Sequence, residues 1–186
     1  MSSGNLFYLA ASQTDDLGPP VGSFTDNSTG ISVQYPPDWQ LISDDYLRII
    51  SGSALEDLKN QSQEYSSLEE IVKPVVGLTP KSLNGASMVI MYELLPFPIS
   101  AETFMNSSLA SFGNSSLEID QISRVSIGGI QALKVDMTDS SNNVELRQIY
   151  LTKDNKGFLI QYLLGERQLA RNVDAINSIL NSIEIT

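Results

Sequence analysis

The chain of 186 residues contains no cysteine and no histidine. Without thiols there are no disulfides, thiolate metal centres, iron–sulfur clusters or cysteine nucleophiles, and the redox compartment is left open. Without imidazole there is no Ser/His/Asp or Cys/His couple, and the usual nitrogen ligands of zinc, copper and haem iron are missing. Basic residues are scarce as well. Eleven Lys and Arg stand against twenty-two Asp and Glu, a net charge of −11. They are scattered singly from Arg48 to Arg171, so no basic stripe exists for a phosphate backbone, and the mean surface potential repels nucleic acid and anionic headgroups. No apolar run reaches the length that spans a bilayer.

What is present suits one ordinary globular domain: 41% apolar residues and 18% charged. Residues 1–22 read as a flexible leader, because Asp15-Asp16-Leu17-Gly18-Pro19-Pro20 combines turn formers with no periodic apolar face; residues 23–186 form the single domain. The stretch Leu6 to Ala11 is too short for the apolar region of a signal peptide and fits the remnant of a longer leader. Asn27, Asn60, Asn106 and Asn114 each head an N-glycosylation acceptor triplet. Four is a slight excess over the about two that chance supplies, and with scarce lysine it points toward an exported protein.

Along the domain, Phe24-Thr25-Asp26 and Ile31-Ser32-Val33-Gln34-Tyr35 flank Asn27 to Gly30, which predicts a hairpin with Ile31, Val33 and Tyr35 on its buried face. Pro36-Pro37-Asp38 stops the strand, and Trp39, the single tryptophan, is expected to plug one end of the core, with Leu41 and Ile42 opening the next strand. Tyr46 to Ile50 reads as another strand, Ala54 to Glu70 as a short helix and loop, and Val75 to Leu78, between Pro74 and Pro80, as loop or edge strand. Ala86 to Leu95 is nearly all apolar, as in a central strand. Ser100 is placed to cap a helix running to about Phe112, with Phe104 and Ser108 on one stripe beside Met105 and Leu109. From Leu117 four strands alternate with Gly128-Gly129, Asp139 to Asn143, and Asp154 to Gly157, which predicts an antiparallel meander. A helix carrying Leu169, Val173, Ile176 and Leu180 follows, then a short strand at 182–185. Helices on an antiparallel sheet make the class α+β, with the tyrosine, the indole and the late hairpin closing a single sheet.

Three stretches resemble the PsbP family, the oxygen-evolving-enhancer proteins of photosystem II and their relatives in organisms without a photosystem, archaea included. They are Gly30-Ile31-Ser32-Val33-Gln34-Tyr35-Pro36-Pro37-Asp38-Trp39, the late hairpin with Asn155-Lys156-Gly157-Phe158-Leu159-Ile160, and the closing helix with Ile179-Leu180-Asn181-Ser182-Ile183-Glu184-Ile185. The resemblance implies an α/β/α sandwich around an antiparallel sheet of six or more strands. It also implies an extracytoplasmic, often anchored or lumenal accessory protein without enzymatic activity. Metal binding in the photosynthetic members leans partly on histidine and their docking on a basic surface, so the fold carries over and the partner does not.

Without imidazole or thiolate, calcium is the ligand chemistry left open, since it needs only oxygen donors. Asp136, Asp139, Ser140, Asn142 and Asn143 cluster at one predicted hairpin tip, and Asp38, Asp44 and Asp45 at a corner. The first lacks the EF-hand's alternation and its bidentate glutamate, so an Asx-rich turn is the preferred reading, with Asp136, Asp139, Asn142 and Asn143 kept as calcium candidates. Glu69, Glu70, Glu93 and Glu145 are candidate acid–base carboxylates whose separation nothing fixes. Gly128-Gly129 lacks the lysine of a phosphate loop. For a protein partner, the proline-stiffened loop Leu94 to Ile99 and the stretch Gln61 to Leu78 are the candidate contacts. Leu95, Pro96, Phe97 and Pro98 lead, against a preferred reading in which Phe97 caps the core. The resulting expectation is a noncatalytic accessory module without a cofactor, secreted or held at a membrane through a leader beyond this sequence. The alternative is a small-ligand or calcium-binding protein with a cleft between sheet and helix.

Overall fold

The computed structural model describes residues 22–43, 45, 47, 72–82, 86–110, 117–139 and 144–186. Its elements are β1 (Gly22–Asp26), β2 (Ile31–Tyr35), β3 (Trp39–Leu41), β4 (Val72–Pro80), β5 (Ser87–Leu94), α1 (Ala101–Ala110), β6 (Leu117–Ile127), β7 (Ile130–Asp139), β8 (Val144–Lys153), β9 (Lys156–Gly165), α2 (Glu166–Ser182) and β10 (Glu184–Ile185). All described pairings are antiparallel, in a seven-stranded sheet ordered β3-β4-β5-β9-β8-β7-β6 and a three-stranded sheet ordered β1-β2-β10.

The predicted meander is present, because each apolar run alternates faces and each short turn returns the chain beside the strand it left. On β8, Ile149 and Leu151 enter one core with Met88, Ile90, Phe158 and Ile160, and the α2 residues Ile176, Ile179 and Leu180 cover it. Leu146 and Tyr150, on the other face, enter a second core with Val135 and Met137, which Phe104 and Met105 of α1 cover. One helix per face makes the predicted α/β/α sandwich.

Two expectations are corrected. The strands do not close one sheet: β10 pairs with β2, Ile185 facing Ile31, and forms the smaller sheet with β1. Ile31 and Val33 turn into the α2-side core, with Tyr35 and Phe24 packed against it. The strand expected over 46–50 is not supported where the chain is described. Asp45 and Leu47 are helical, and Leu47 N–H donates to Ser43 O at 2.9 Å. Ser43 followed by two aspartates has the chemistry of a helix start, a cap and acids at the positive end of the dipole. The turn brings Ile42 and Leu47 down on Gly77, where a Cβ would lie 3.0 Å from Ile42 Cδ1 and 2.5 Å from Leu47 Cδ2.

Residues 75–78 lie in β4, where only Leu78 is flanked by both β3 and β5; among the described residues 75–77 have β5 as their one strand neighbour, with a single bond from Ile42 N–H to Gly77 O at 2.8 Å on the other side, which decides between loop and edge strand for the edge. The prolines are tolerated for a local reason. Pro74 adjoins the irregularity before Val76, and Pro80 ends the strand opposite Trp39, so the missing N–H groups fall where the ladder breaks or stops. The bulge also flips the alternation, turning Val76 and Leu78 into the α2-side core. Trp39 is 1% exposed there, as expected of the plug. The helix expected over 54–59, the leader before Gly22 and Phe112 lie outside the described residues.

Candidate functional site

The loop from β5 to α1 is pinned at both ends. Leu95 N–H donates to Asn155 O at 2.8 Å, and Thr152 Oγ1 donates to Ile99 O at 3.0 Å. Ser100 then caps α1, its Oγ accepting from Thr103 N–H at 3.1 Å, as the sequence predicts. Between the pins Pro96, Phe97 and Pro98 are all exposed, Phe97 by 61%, and Leu94 beside them by 56%. The preferred reading of Phe97 as a core cap is therefore wrong. Leu95, 4% exposed, takes the inward place in the α1-side core, and is in turn no partner contact.

The sheet seats this tip from beneath. Phe104 lies over Gly157 of β9, where a Cβ would stand 2.9 Å from its Cζ, and meets Tyr150 edge-on with centroids 5.8 Å apart. Tyr150 donates its hydroxyl hydrogen to Gln148 Oε1, and the wholly buried Gln148 donates from Nε2 to Gln161 Oε1 at 2.8 Å. Burial pushes the Tyr150 phenol well above its usual range, so it stays a donor. Both lysines of the β8–β9 hairpin turn to the small sheet: Lys153 Nζ donates to Ile185 O at 2.8 Å and Lys156 Nζ to Thr29 O at 3.1 Å. Glu93 lies between Val72 and Gly157 near the foot of the tip, and burial raises its carboxyl pKa.

Of the calcium candidates, the two that are described, Asp136 and Asp139, are not brought together. Asp136 pairs with Lys134 Nζ at 3.0 Å and Arg147 Nε at 3.4 Å, while Arg147 also reaches Glu145 at 3.1 Å, a balanced set of two cations and two anions. Asp139 stands three residues along the same strand and so on the other face of the sheet. Asn142, Asn143 and Ser140 lie outside the described residues, and among those described no group of three or more acidic side chains is arranged to hold a metal. At the second acidic corner, Asp38 gives its backbone carbonyl to Lys81 N–H at 2.7 Å, Asp45 belongs to the helical turn, and Asp44 is outside the described residues.

Among the described residues the candidate carboxylates form no acid–base pair. Glu145 shares a face with Arg147 and the α2 side, Glu93 lies on the α1 side, and Glu69 and Glu70 are outside the described residues. Of the glycosylation acceptors, Asn27 and Asn106 are exposed. Thr29 is buried at the hairpin tip, its hydroxyl bonded to Asp26 at 2.9 Å. Burial alone would raise the Asp26 pKa, but the hydrogen bonds from Ser28 and Thr29 outweigh it and lower it. The lysine clamps and the seat at Gly157 had no signature in the sequence; a glycine at the start of an apolar strand was their one available trace.

No protein-family model and no curated protein matches the chain. Solved structures do. The solution structure of the cyanobacterial PsbP, CyanoP, from Synechocystis superposes with a TM-score of 0.55 at 9% identity, covering 91% of this chain and 95% of that one. LpqN, involved in cell envelope biogenesis of Mycobacterium tuberculosis, gives 0.51 at 15% identity, covering 91% and 87%. A crystal structure from Bacteroides thetaiotaomicron gives 0.50 at 12% identity, covering 88% of this chain and 48% of that one. The fold is PsbP-like, as the three sequence stretches implied, and at these identities the likeness is one of fold.

Proposed function

We propose that the protein is a noncatalytic, extracytoplasmic accessory module that docks on a larger protein assembly by inserting the exposed Leu94, Pro96, Phe97 and Pro98 of the β5–α1 loop into an apolar pocket. The observation that carries this is Phe97, 61% exposed between two prolines on a loop pinned at both ends. An aromatic side chain held out on a stiff loop loses little conformational freedom on docking, which is the usual chemistry of an interface anchor. The noncatalytic reading is supported by a sequence without imidazole or thiol. The extracytoplasmic reading is supported by the acceptor triplets and by likeness to a cell-envelope protein and to CyanoP. No helix of the described residues is long and apolar enough to cross a membrane, so in this reading the tip reaches a membrane complex through its protein subunits.

Crosslinking with mass spectrometry in native membranes, on the wild type and Phe97→Ala, tests it. Crosslinks from the tip to a defined partner should be lost in the variant while its melting temperature stays near that of the wild type. A loss of about 3–5 kcal/mol, as for a buried phenylalanine, or an unchanged crosslink pattern, overturns the reading.

A further inference from the structure

Charged side chains surround the exposed β5–α1 tip, and the two signs are disposed differently. Three carboxylates stand at its foot. Glu93 directly precedes Leu94 on β5, Asp154 adjoins Asn155, whose carbonyl pins Leu95 N–H, and Glu102 lies in the first turn of α1, just past the pin at Ile99. Asp154 and Glu102 are exposed and Glu93 is half-buried. Among the described residues none of the three is in an ion pair. Two lysines stand in the same hairpin, but Lys153 Nζ donates to Ile185 O at 2.8 Å and Lys156 Nζ to Thr29 O at 3.1 Å, so both are turned to the small sheet and a partner would reach them only at the cost of those bonds. The charge left free to meet a partner around Phe97 is negative.

We propose that the pocket receiving the tip belongs to a protein and is rimmed by lysine or arginine, with Asp154 and Glu102 meeting those cations around a buried Phe97. The inference rests on the docking reading above and names the chemistry of its partner. A buried aromatic anchor inside a polar rim is the usual anatomy of an interface. Unpaired carboxylates brought against an apolar or acidic rim would lose hydration or repel, whereas a basic rim steers the encounter and fixes its register. An anionic lipid surface is repelled for the same reason, and a second copy of the chain, at a net charge of −11, brings the same sign to the contact.

Co-sedimentation of the purified full chain with native membranes tests this between about 0.01 and 1 M salt, over which the screening length falls from about 30 to 3 Å. Wild-type affinity should fall as salt rises. Glu102→Gln combined with Asp154→Asn, both at exposed positions and the second suited to the positive φ of residue 154, should weaken binding about twofold or more at low salt and flatten the salt dependence, with melting near that of the wild type. Phe97→Ala should weaken binding at every salt concentration and leave the slope in place. Binding lost in Phe97→Ala but with an undiminished slope in the double variant overturns the basic rim and leaves the docking reading standing. Binding that Phe97→Ala does not change overturns the docking reading, and the rim with it. Equal binding to protein-free phosphatidylcholine vesicles assigns the tip to lipid, and a mass near twice 20.3 kDa without membranes that Phe97→Ala halves assigns it to a second copy; either overturns the proposal.

Discussion

Gly157→Ala probes the contact that seats α1, and with it the exposed tip, on the sheet. The added Cβ would lie 2.9 Å from Phe104 Cζ and 3.1 and 3.2 Å from its two Cε atoms. Carbon atoms rest about 3.5–4.0 Å apart, so the ring must retreat by about 0.5–1 Å. Phe104 is 4% exposed and its other side meets Tyr150, so the retreat strains the core. Overpacking of this kind costs about 1–3 kcal/mol. Against it, alanine restricts the unfolded chain, worth about 0.4–1 kcal/mol where the native backbone suits it, and Gly157 is not among the positive-φ glycines. The strain wins by about 1–2 kcal/mol. For a domain of this size each kcal/mol moves the midpoint by about 2–4 °C, so thermal unfolding should fall by about 2–8 °C with an unchanged urea m-value. Phe104→Leu in the same background relieves the clash, and the double variant should be more stable than the two single losses added together. A Gly157→Ala midpoint equal to or above the wild type refutes the seating.

Leu95→Ala should destabilise by about 2–5 kcal/mol in urea unfolding, because Leu95 is the buried anchor of the tip; a loss below about 0.5 kcal/mol would mean the loop is not held there. Glu93→Gln should raise the melting temperature at pH 7. Burial raises the folded-state pKa of Glu93 above its ordinary value of 4.5, so the folded state binds the extra proton. Stability is therefore lost as pH rises from about 4.5 through the folded pKa. The gain from Glu93→Gln should shrink as pH is lowered through that window, and a gain independent of pH would assign it to packing.

Most of the secondary structure was legible because its signals are local. The hairpin of β1 and β2, the cap at Ser100, the meander from Leu117 and the final helix each depend on a period or a turn within a dozen residues. The misreadings share one cause. The stretch after Ser43 carried both a helix start and an apolar run, and packing of Ile42 and Leu47 on Gly77 decided between them. The prolines of β4 left loop and edge strand both open, and only the pairing with β5, broken by the bulge at Val75, decided for a strand and showed where the ladder can spare their N–H groups. Asp136 and Asp139 looked like one cluster because sequence distance hides which face of a strand a residue occupies.

By itself the sequence determined the chemistry excluded by the missing imidazole and thiol, the α+β class, the three PsbP-like stretches and the plug at Trp39, since composition, period and turn residues act over short range. Tertiary structure decided the rest: that β10 leaves the main sheet for β2, that Leu95 turns inward and Phe97 outward, that Asp136 is spent on Lys134 and Arg147, and that β6 is the outermost strand among the described residues. Each of these depends on which of several similar apolar or charged groups reaches a shared neighbour first. That competition is resolved only when distant segments meet.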